Sequence, residues 1–384
     1  MKVQKLIDSV PTEQESGNSY NQPVSIAYEQ GFTYSSAAGG SFTLNSPVAM
    51  TMLNAAVTPS QIVLRSQIDY ESAARSARGR NAFMDGTKLL FEGMQKSMRK
   101  RYEIDLLYGQ MGLGVVSSVA TNTITITTAT WAPFIWAGME GAQLEAFTAV
   151  SGGSQRTGTM TITSVDLDNR TVTVDAAATS LAANDHLFWY GAHTTSTDRS
   201  MAGIAKILSN TGSLFGISAA TYSLWKASTY AAGSAALSQT KINAAVAAAV
   251  AKGCEGEMAL LVNPKAWGNL LGDQSALVRH IDPKKNKVVY ENGSTDINFH
   301  SQNGVIKIIS HPGVKEGDAF GLALDTWTRG GAVPEPTFTT PGYGSEIFLQ
   351  QASSAGFELR MYLNAFIISS APGKNLYISG IVNS

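Results

Sequence analysis

Residues 80–112, RNAFMDGTKLLFEGMQKSMRKRYEIDLLYGQMG, carry one long helical pattern. Leu90, Met94, Met98, Tyr102 and Leu106 recur at i, i+4 and draw a single apolar stripe. Lys88, Lys96, Arg99, Lys100 and Arg101 lie mostly off that stripe, and Gly109 and Gly112 end the helix. A helix from about Ala82 to Tyr108, at about 1.5 Å per residue, is a rod of about 40 Å. That is long for a core helix and suited to a spine. The following GQMGLG, Gly109–Gly114, has a superficial likeness to a dinucleotide fingerprint, but the spacing is wrong and it follows a helix where that motif must follow a strand. It reads as a helix stop.

Toward the N-terminus, Gln61–Tyr70 (QIVLRSQIDY) alternates as a strand. Residues 35–60 contain no charged residue and are rich in Gly, Ser, Thr and Ala. Such a segment forms no core of its own. It is either a flexible loop or a two-stranded loop lying on another subunit, and composition favours neither. Residues 1–34 are polar with little periodicity, so their contacts are expected to be with neighbours rather than with their own core. The first residues lack the apolar stretch of a signal peptide, and no run in the chain approaches a membrane span, so a soluble chain made in the cytoplasm is expected.

Toward the C-terminus the composition shifts to Thr, Ser, Ala and Val over Val115–Tyr190. TITSVDLDNRTVTVD, residues 161–175, places two alternating strands around an Asp-Leu-Asp-Asn turn. The block holds six acidic residues against Arg156 and Arg170, a net of −4, and reads as a small all-β domain inserted into a host and projecting from it. Ser238 then caps a helix that stops at Gly253, and Met258–Val262 is a buried strand. Asn263 and Pro264 start a short helix through Leu271. Strands are expected at Val305–Ser310, Phe320–Asp325, Glu346–Gln350 and Phe357–Ser369, and KNLYISGIV closes the chain.

Only 15% of the 384 residues are charged, which suits a surface largely covered by copies of the same chain. The net charge of −1 gives no global attraction to nucleic acid or anionic lipid. The one cysteine, Cys254, excludes an internal disulfide framework and reads as a small buried hydrophobe. His186, His193, His280, His300 and His311 show no ligand spacing and read as surface or turn residues. No catalytic motif, metal site or cofactor site is expected. Trp131, Phe134, Trp136, Phe188, Trp189 and Tyr190 make either a sugar-stacking platform or, favoured, the core of the β domain. Arg75, Arg78, Arg80, Arg99, Lys100 and Arg101 are interleaved with Asp85, Glu92, Glu103 and Asp105. That mixture suits ion pairs between subunits better than a phosphate track.

The order of these parts resembles the major capsid proteins of tailed phages, the Hong Kong 97 fold. Residues 80–112 resemble that family's spine helix. MAGIAKILSNTGSLFGISAATYSLWKAS, residues 201–228, resembles its re-entry into the core, and NPKAWGNLL, residues 263–271, its axial domain. The resemblance implies an α+β fold divided into an N-terminal arm (1–34), an extended loop (35–60), a peripheral domain with the spine helix (61–110, completed by late strands), an inserted β domain (111–195) and an axial domain with return strands (196–384). It implies a non-enzymatic shell subunit that forms pentamers and hexamers around double-stranded DNA without sequence-specific binding. Its further partners are a portal and scaffolding or decoration proteins. The arm begins at Met1, so a separate scaffold, or none, is expected. Arg65, with Arg75, Arg78, Arg80, Arg99, Lys100 and Arg101, is expected at inter-subunit contacts. The alternatives are an encapsulin-like compartment shell and, further off, a β-rich glycan-binding surface protein.

Overall fold

A computed structural model of the chain describes residues 2–9, 19–35, 41–69, 71, 83–156, 158–175, 178, 180–277, 297–301, 304–339, 347–350 and 356–383. The chain opens with α1 (Val3–Leu6), β1 (Asp8–Ser9), β2 (Tyr20–Ala27), β3 (Thr51–Val57), β4 (Ser60–Asp69) and the long helix α2 (Phe83–Tyr108). Six strands then follow around a short helix: β5 (Gly114–Ala120), β6 (Thr123–Ile126), α3 (Pro133–Trp136), β7 (Gln143–Phe147), β8 (Met160–Asp166), β9 (Thr171–Val174) and β10 (His186–Trp189). Next come α4 (Ile204–Ser209), β11 (Ser213–Leu214), β12 (Ile217–Ser218), β13 (Ser228–Ala235), α5 (Gln239–Val250), β14 (Met258–Val262) and α6 (Pro264–Leu277). The last elements are β15 (Ile297–Ser301), β16 (Gly304–Ser310), β17 (Ala319–Leu322), β18 (Trp327–Thr337), β19 (Phe348–Gln350), β20 (Gly356–Ser369) and β21 (Leu376–Ile381).

Helix α2 buries Met94, Met98, Tyr102 and Leu106, as the apolar stripe requires, and from Tyr102 to Gly109 it is buried on every side. Its end is set by backbone contact. A Cβ on Gly109 would lie 2.1 Å from the Met201 carbonyl oxygen, and one on Gly203 would lie 2.6 Å from the Gly109 nitrogen. Gly203 N–H donates to the Gly109 carbonyl at 3.0 Å, so the returning chain locks onto the helix end. Only glycine permits so close an approach.

The burial of α2 brings Glu103 inside. One oxygen, Oε1, accepts from Lys2 N at 2.7 Å, Val3 N at 2.9 Å and His311 Nε2 at 2.9 Å. Val3 and Ile7 are buried in the same core as Met94 and Met98. Strand β1 pairs in parallel with β18, Asp8 opposite Thr328 and Ser9 opposite Arg329, and Arg329 Nε donates to the Ile7 carbonyl. The expectation that residues 1–34 stay out of the core is therefore corrected for residues 2–9, and again for Val24 and Ile26, which are buried in a separate cluster. Two hydrophobes and a pair of backbone N–H groups aimed at a buried carboxylate suffice, without any periodic pattern.

Strand β20 is the axis of a five-stranded sheet. Strand β4 runs along one edge from Gly356 to Ala365, while β19 and β18 share the other. The second sheet has the order β13-β21-β17-β14-β16-β15. Its β14 is buried at every residue, as an inner strand must be. Helix α5 packs Ile242, Ala245, Val246 and Ala249 onto it. Ser238 caps α5, and Asn263 accepts from Lys265 N at 2.9 Å to start α6, which runs to Leu277 rather than stopping at Leu271. The expected strand at Phe320–Asp325 ends at Leu322 and continues as a single tight turn, and Glu346 lies outside the described residues. Asn375, fully buried, joins the two sheets. Its Oδ1 accepts from Ala323 N and Trp327 Nε1, and its Nδ2 donates to Thr326, Ser369 and Ala371.

Strands β5 to β10 close a six-stranded barrel in the order β10-β5-β6-β9-β8-β7. Trp131, Trp136 and Trp189 are buried in one core, Trp131 stacking on Trp136 at 6.2 Å, and Phe188 is buried against Phe147 and His193, which settles these four aromatics as core. Tyr190 alone of the set is largely exposed. The barrel core is continuous with that of α2.

Two buried carboxylates two residues apart on α2 have pKa values shifted in opposite directions. Burial alone would raise the Glu103 pKa, but the His311 hydrogen bond and the N–H groups of Val3 and Lys2 outweigh it and hold the carboxyl below its usual range. Burial pushes Asp105 up to about 6, offset only in part by Arg101. Glu103 thus stabilises the fold above its unfolded pKa, and that contribution is lost as pH falls. Asp105 costs stability as pH rises from its unfolded value through about 6. Urea unfolding of the unassembled chain at pH 7 should show Glu103→Gln destabilised by about 2–4 kcal/mol and Asp105→Asn stabilised by about 1 kcal/mol or more. At pH 4 both differences should shrink.

Candidate assembly surface

Strands β2 and β3 pair from Tyr20–Val57 to Ala27–Thr51, so the arm and the loop that follows it form one hairpin. At its base Val24, Ile26, Ala55 and Val57 are buried against Trp225, Phe366 and Ile368, and Tyr20 stacks on Phe366 at 4.9 Å. Beyond the strands the two legs stay together. Gln30 N donates to the Val48 carbonyl, while Asn45 bonds Thr33 Oγ1 through its backbone N–H and the Phe32 carbonyl through Nδ2. The segment thus has a two-stranded form anchored at its base among the described residues.

What the hairpin offers is apolar. Tyr28, Phe32, Tyr34, Phe42, Leu44, Val48, Met50 and Met52 are all exposed, Tyr34 to 91% and Leu44 to 74%. Between residues 20 and 60 the single charge is Glu29. Eight large exposed hydrophobes with one charge among them are far beyond what an isolated soluble chain ordinarily shows.

The basic residues have separate fates. Arg65 pairs with Glu358 at 2.8 Å across β4 and β20, and Arg360 pairs with the same carboxylate. Arg101 lies flat over Trp189 at 3.8 Å, and Lys100 donates to the Ala137 carbonyl beneath the Phe134 ring. Arg99 is exposed and lines a cleft of about 600 Å³ with Lys2, Lys96 and Lys100, over Phe134 and Pro312. Arg75, Arg78 and Arg80 lie outside the described residues.

His193 and His311 are buried and paired with Asp198 and Glu103, which corrects their reading as surface or turn residues. Each sits within a pattern too sparse for sequence spacing to expose. His280 lies outside the described residues. Among the described residues no group of three or more His, Cys, Asp or Glu side chains is placed to hold a metal ion, and no helix is long and apolar enough to cross a membrane. The other buried titratable cluster is bracing. Tyr108 and Tyr377 both donate to Asp318, and Lys315, lowered to about 8 by burial, donates to the Gly112 carbonyl where the barrel begins.

No family model matches the sequence, and no curated protein matches it. Its fold has counterparts. A chain of the cyanophage A-1(L) capsid asymmetric unit aligns over 98% of this chain and 91% of its own, at 12% identity and a TM-score of 0.59. The capsid of a native GTA particle aligns over 99% and 90%, at 6% identity and a TM-score of 0.51. The SrpI encapsulin complex of Synechococcus elongatus PCC 7942 aligns over 99% and 87%, at 7% identity and 0.45, too distant to carry an argument. The first two likenesses establish that the chain has the mixed α+β fold of these capsid subunits.

Because Tyr34, Leu44 and Met50 are exposed and belong to none of the core clusters, Tyr34→Ser, Leu44→Ser and Met50→Ser together should change the unfolding free energy by no more than about 0.5 kcal/mol per site. The same triple variant should lower the binding of a hydrophobic dye to the unassembled chain. Undiminished dye fluorescence would place the exposed apolar surface elsewhere.

Proposed function

We propose that the chain is the major capsid protein of a tailed, double-stranded-DNA phage, assembling as pentamers and hexamers into an icosahedral shell. The observation that carries this reading is the anchored hairpin with eight exposed hydrophobes and Glu29 as its single charge, on a fold aligned over 98% of the chain with a cyanophage capsid subunit. Such a hairpin gains by lying on a neighbouring copy, and head-to-tail contacts of this kind close into rings by rotation. In this reading residues 1–34 are the arm, 35–60 the extended loop, 61–110 with the late strands the peripheral domain, 111–195 the barrel and 196–384 the axial domain. The acidic barrel faces outward, away from the genome. Arg99, with the other cations between Arg65 and Arg101, contributes contacts between subunits. A portal, scaffolding or decoration proteins, and packaged DNA held without sequence preference complete the particle.

The fold also suits an encapsulin-like compartment, and the contents of the particle separate the two. Cryo-EM of purified particles should show layered DNA density and a portal vertex; a closed shell around protein cargo would replace this reading with the compartment. The near-neutral chain should bind duplex DNA only weakly at physiological salt.

The lock of the shell is expected to be non-covalent. An isopeptide weld from the hairpin needs a lysine amine as nucleophile, and no lysine occurs between Lys5 and Lys88. Arginine does not replace it, because its guanidinium stays protonated. Mature particles boiled in detergent should run as one band near 40.7 kDa. A ladder of multimers would contradict this.

A further inference from the structure

The cleft on α2 holds more positive charge than its own chain neutralises. Lys2, Lys96, Arg99 and Lys100 line it, against Glu92 and Glu103. Glu103 is occupied by His311 and the Lys2 and Val3 N–H groups, and Glu92 lies 3.8 Å from Lys88. Lys2 Nζ donates to the Ser310 carbonyl and Lys100 Nζ to that of Ala137, neutral partners that leave both charges in place; Glu140 lies near Lys100. Lys96 and Arg99 are exposed, with no ion pair among the described residues. Phe134 and Pro312 give the cleft apolar wall between the cations.

The barrel carries the complementary shape. Its β8–β9 turn, Asp166-Leu167-Asp168-Asn169-Arg170, is held stiff: Asp166 Oδ1 accepts from Asp168 N at 3.0 Å and Asn169 N at 3.1 Å, and Oδ2 from Asn169 Nδ2 at 2.7 Å. Those bonds keep the Asp166 carboxyl below its usual range. Arg170 closes the turn at a φ of +56°. The tip thereby presents Leu167, 40% exposed, beside the exposed Asp168. Turns of this kind favour Gly, Asn, Asp or Ser over leucine.

We propose that the cationic cleft of one copy receives the Asp166–Arg170 turn of a second copy, with Leu167 against Phe134 and Pro312 and the flanking carboxylates against Lys96, Arg99 and Lys100. The contact is heterologous, one surface meeting a different one, as a closed ring requires. Because the turn is already ordered by its own hydrogen bonds, little freedom is lost on docking. It goes beyond the shell reading by naming a second contact between copies, and it rests on that reading only for its consequence in assembly.

Two experiments test it. In the first, chains carrying Leu167→Cys alone are mixed, under mild oxidation, with differently tagged chains carrying Gln95→Cys alone; Gln95 lines the cleft and the native Cys254 is buried. A disulfide-linked heterodimer should form in the mixture and not in either chain by itself. This decides the contact whether or not particles form, so it stands apart from the shell reading. In the second, Asp168→Lys and Arg99→Glu should each lower particle yield by about tenfold or more, and the two together should restore it. Circular dichroism melting should confirm that all three variants fold. No heterodimer, or no rescue by the paired swap, overturns the proposal. So does a Lys96→Glu/Arg99→Glu chain that assembles normally but loses retention of duplex DNA, which would assign the cleft to phosphate.

Discussion

The last two turns of α2 are enclosed on every side, and the rest of the chain is arranged around what that enclosure demands. A helix buried all round favours partners for the polar groups it carries inward. Glu103 takes the N-terminal backbone and His311, while Tyr108 takes Asp318 and receives the Lys315 N–H. The helix end comes so close to the returning chain that glycine stands on both sides, at Gly109 and Gly203. Through these contacts one helix fixes the position of the N-terminal segment, the barrel entrance and the second sheet.

That arrangement concentrates order at the centre and leaves the hairpin as an outlier. The base of the hairpin is pinned by Trp225, Phe366 and Ile368, yet among the described residues the large apolar side chains of its outer half stay exposed. Large apolar side chains left in solvent are unfavourable there, which is why the hairpin carries the proposal of contact with a second copy. The low overall charge, 15%, is consistent with that proposal.

The basic residues of α2 show how one sequence run divides among different tasks. Arg101 is spent on the Trp189 face, and Lys100 on a carbonyl and the Phe134 ring, so both help seat the barrel on the helix. Arg99 and Lys96, one helical step away, face open solvent. Interleaved charge is therefore a mixture of internal bracing and free surface, and the angular position around the helix decides which.

Local sequence was enough for elements whose signal is periodic or chemical. The i, i+4 stripe from Leu90 to Leu106, the Ser238 and Asn263 caps, the all-apolar Met258–Val262 and the Asp-Leu-Asp-Asn turn each follow from backbone geometry acting over a few residues. The charge-free segment pointed to an unusual surface but left its form open, because the pairing of β2 with β3 spans about thirty residues of separation and is held by Trp225 and Phe366 from far along the chain. Only the tertiary structure placed Val3 and Ile7 in the core and buried His193 and His311 beside carboxylates. Those positions depend on groups about one hundred residues or more away, or on a fold of the local chain against distant rings, as for His193 between Phe147 and Phe188. A single residue brought to a buried partner leaves no repeating trace in the sequence, whereas a helix face or a buried strand repeats its signal at every turn or every second residue.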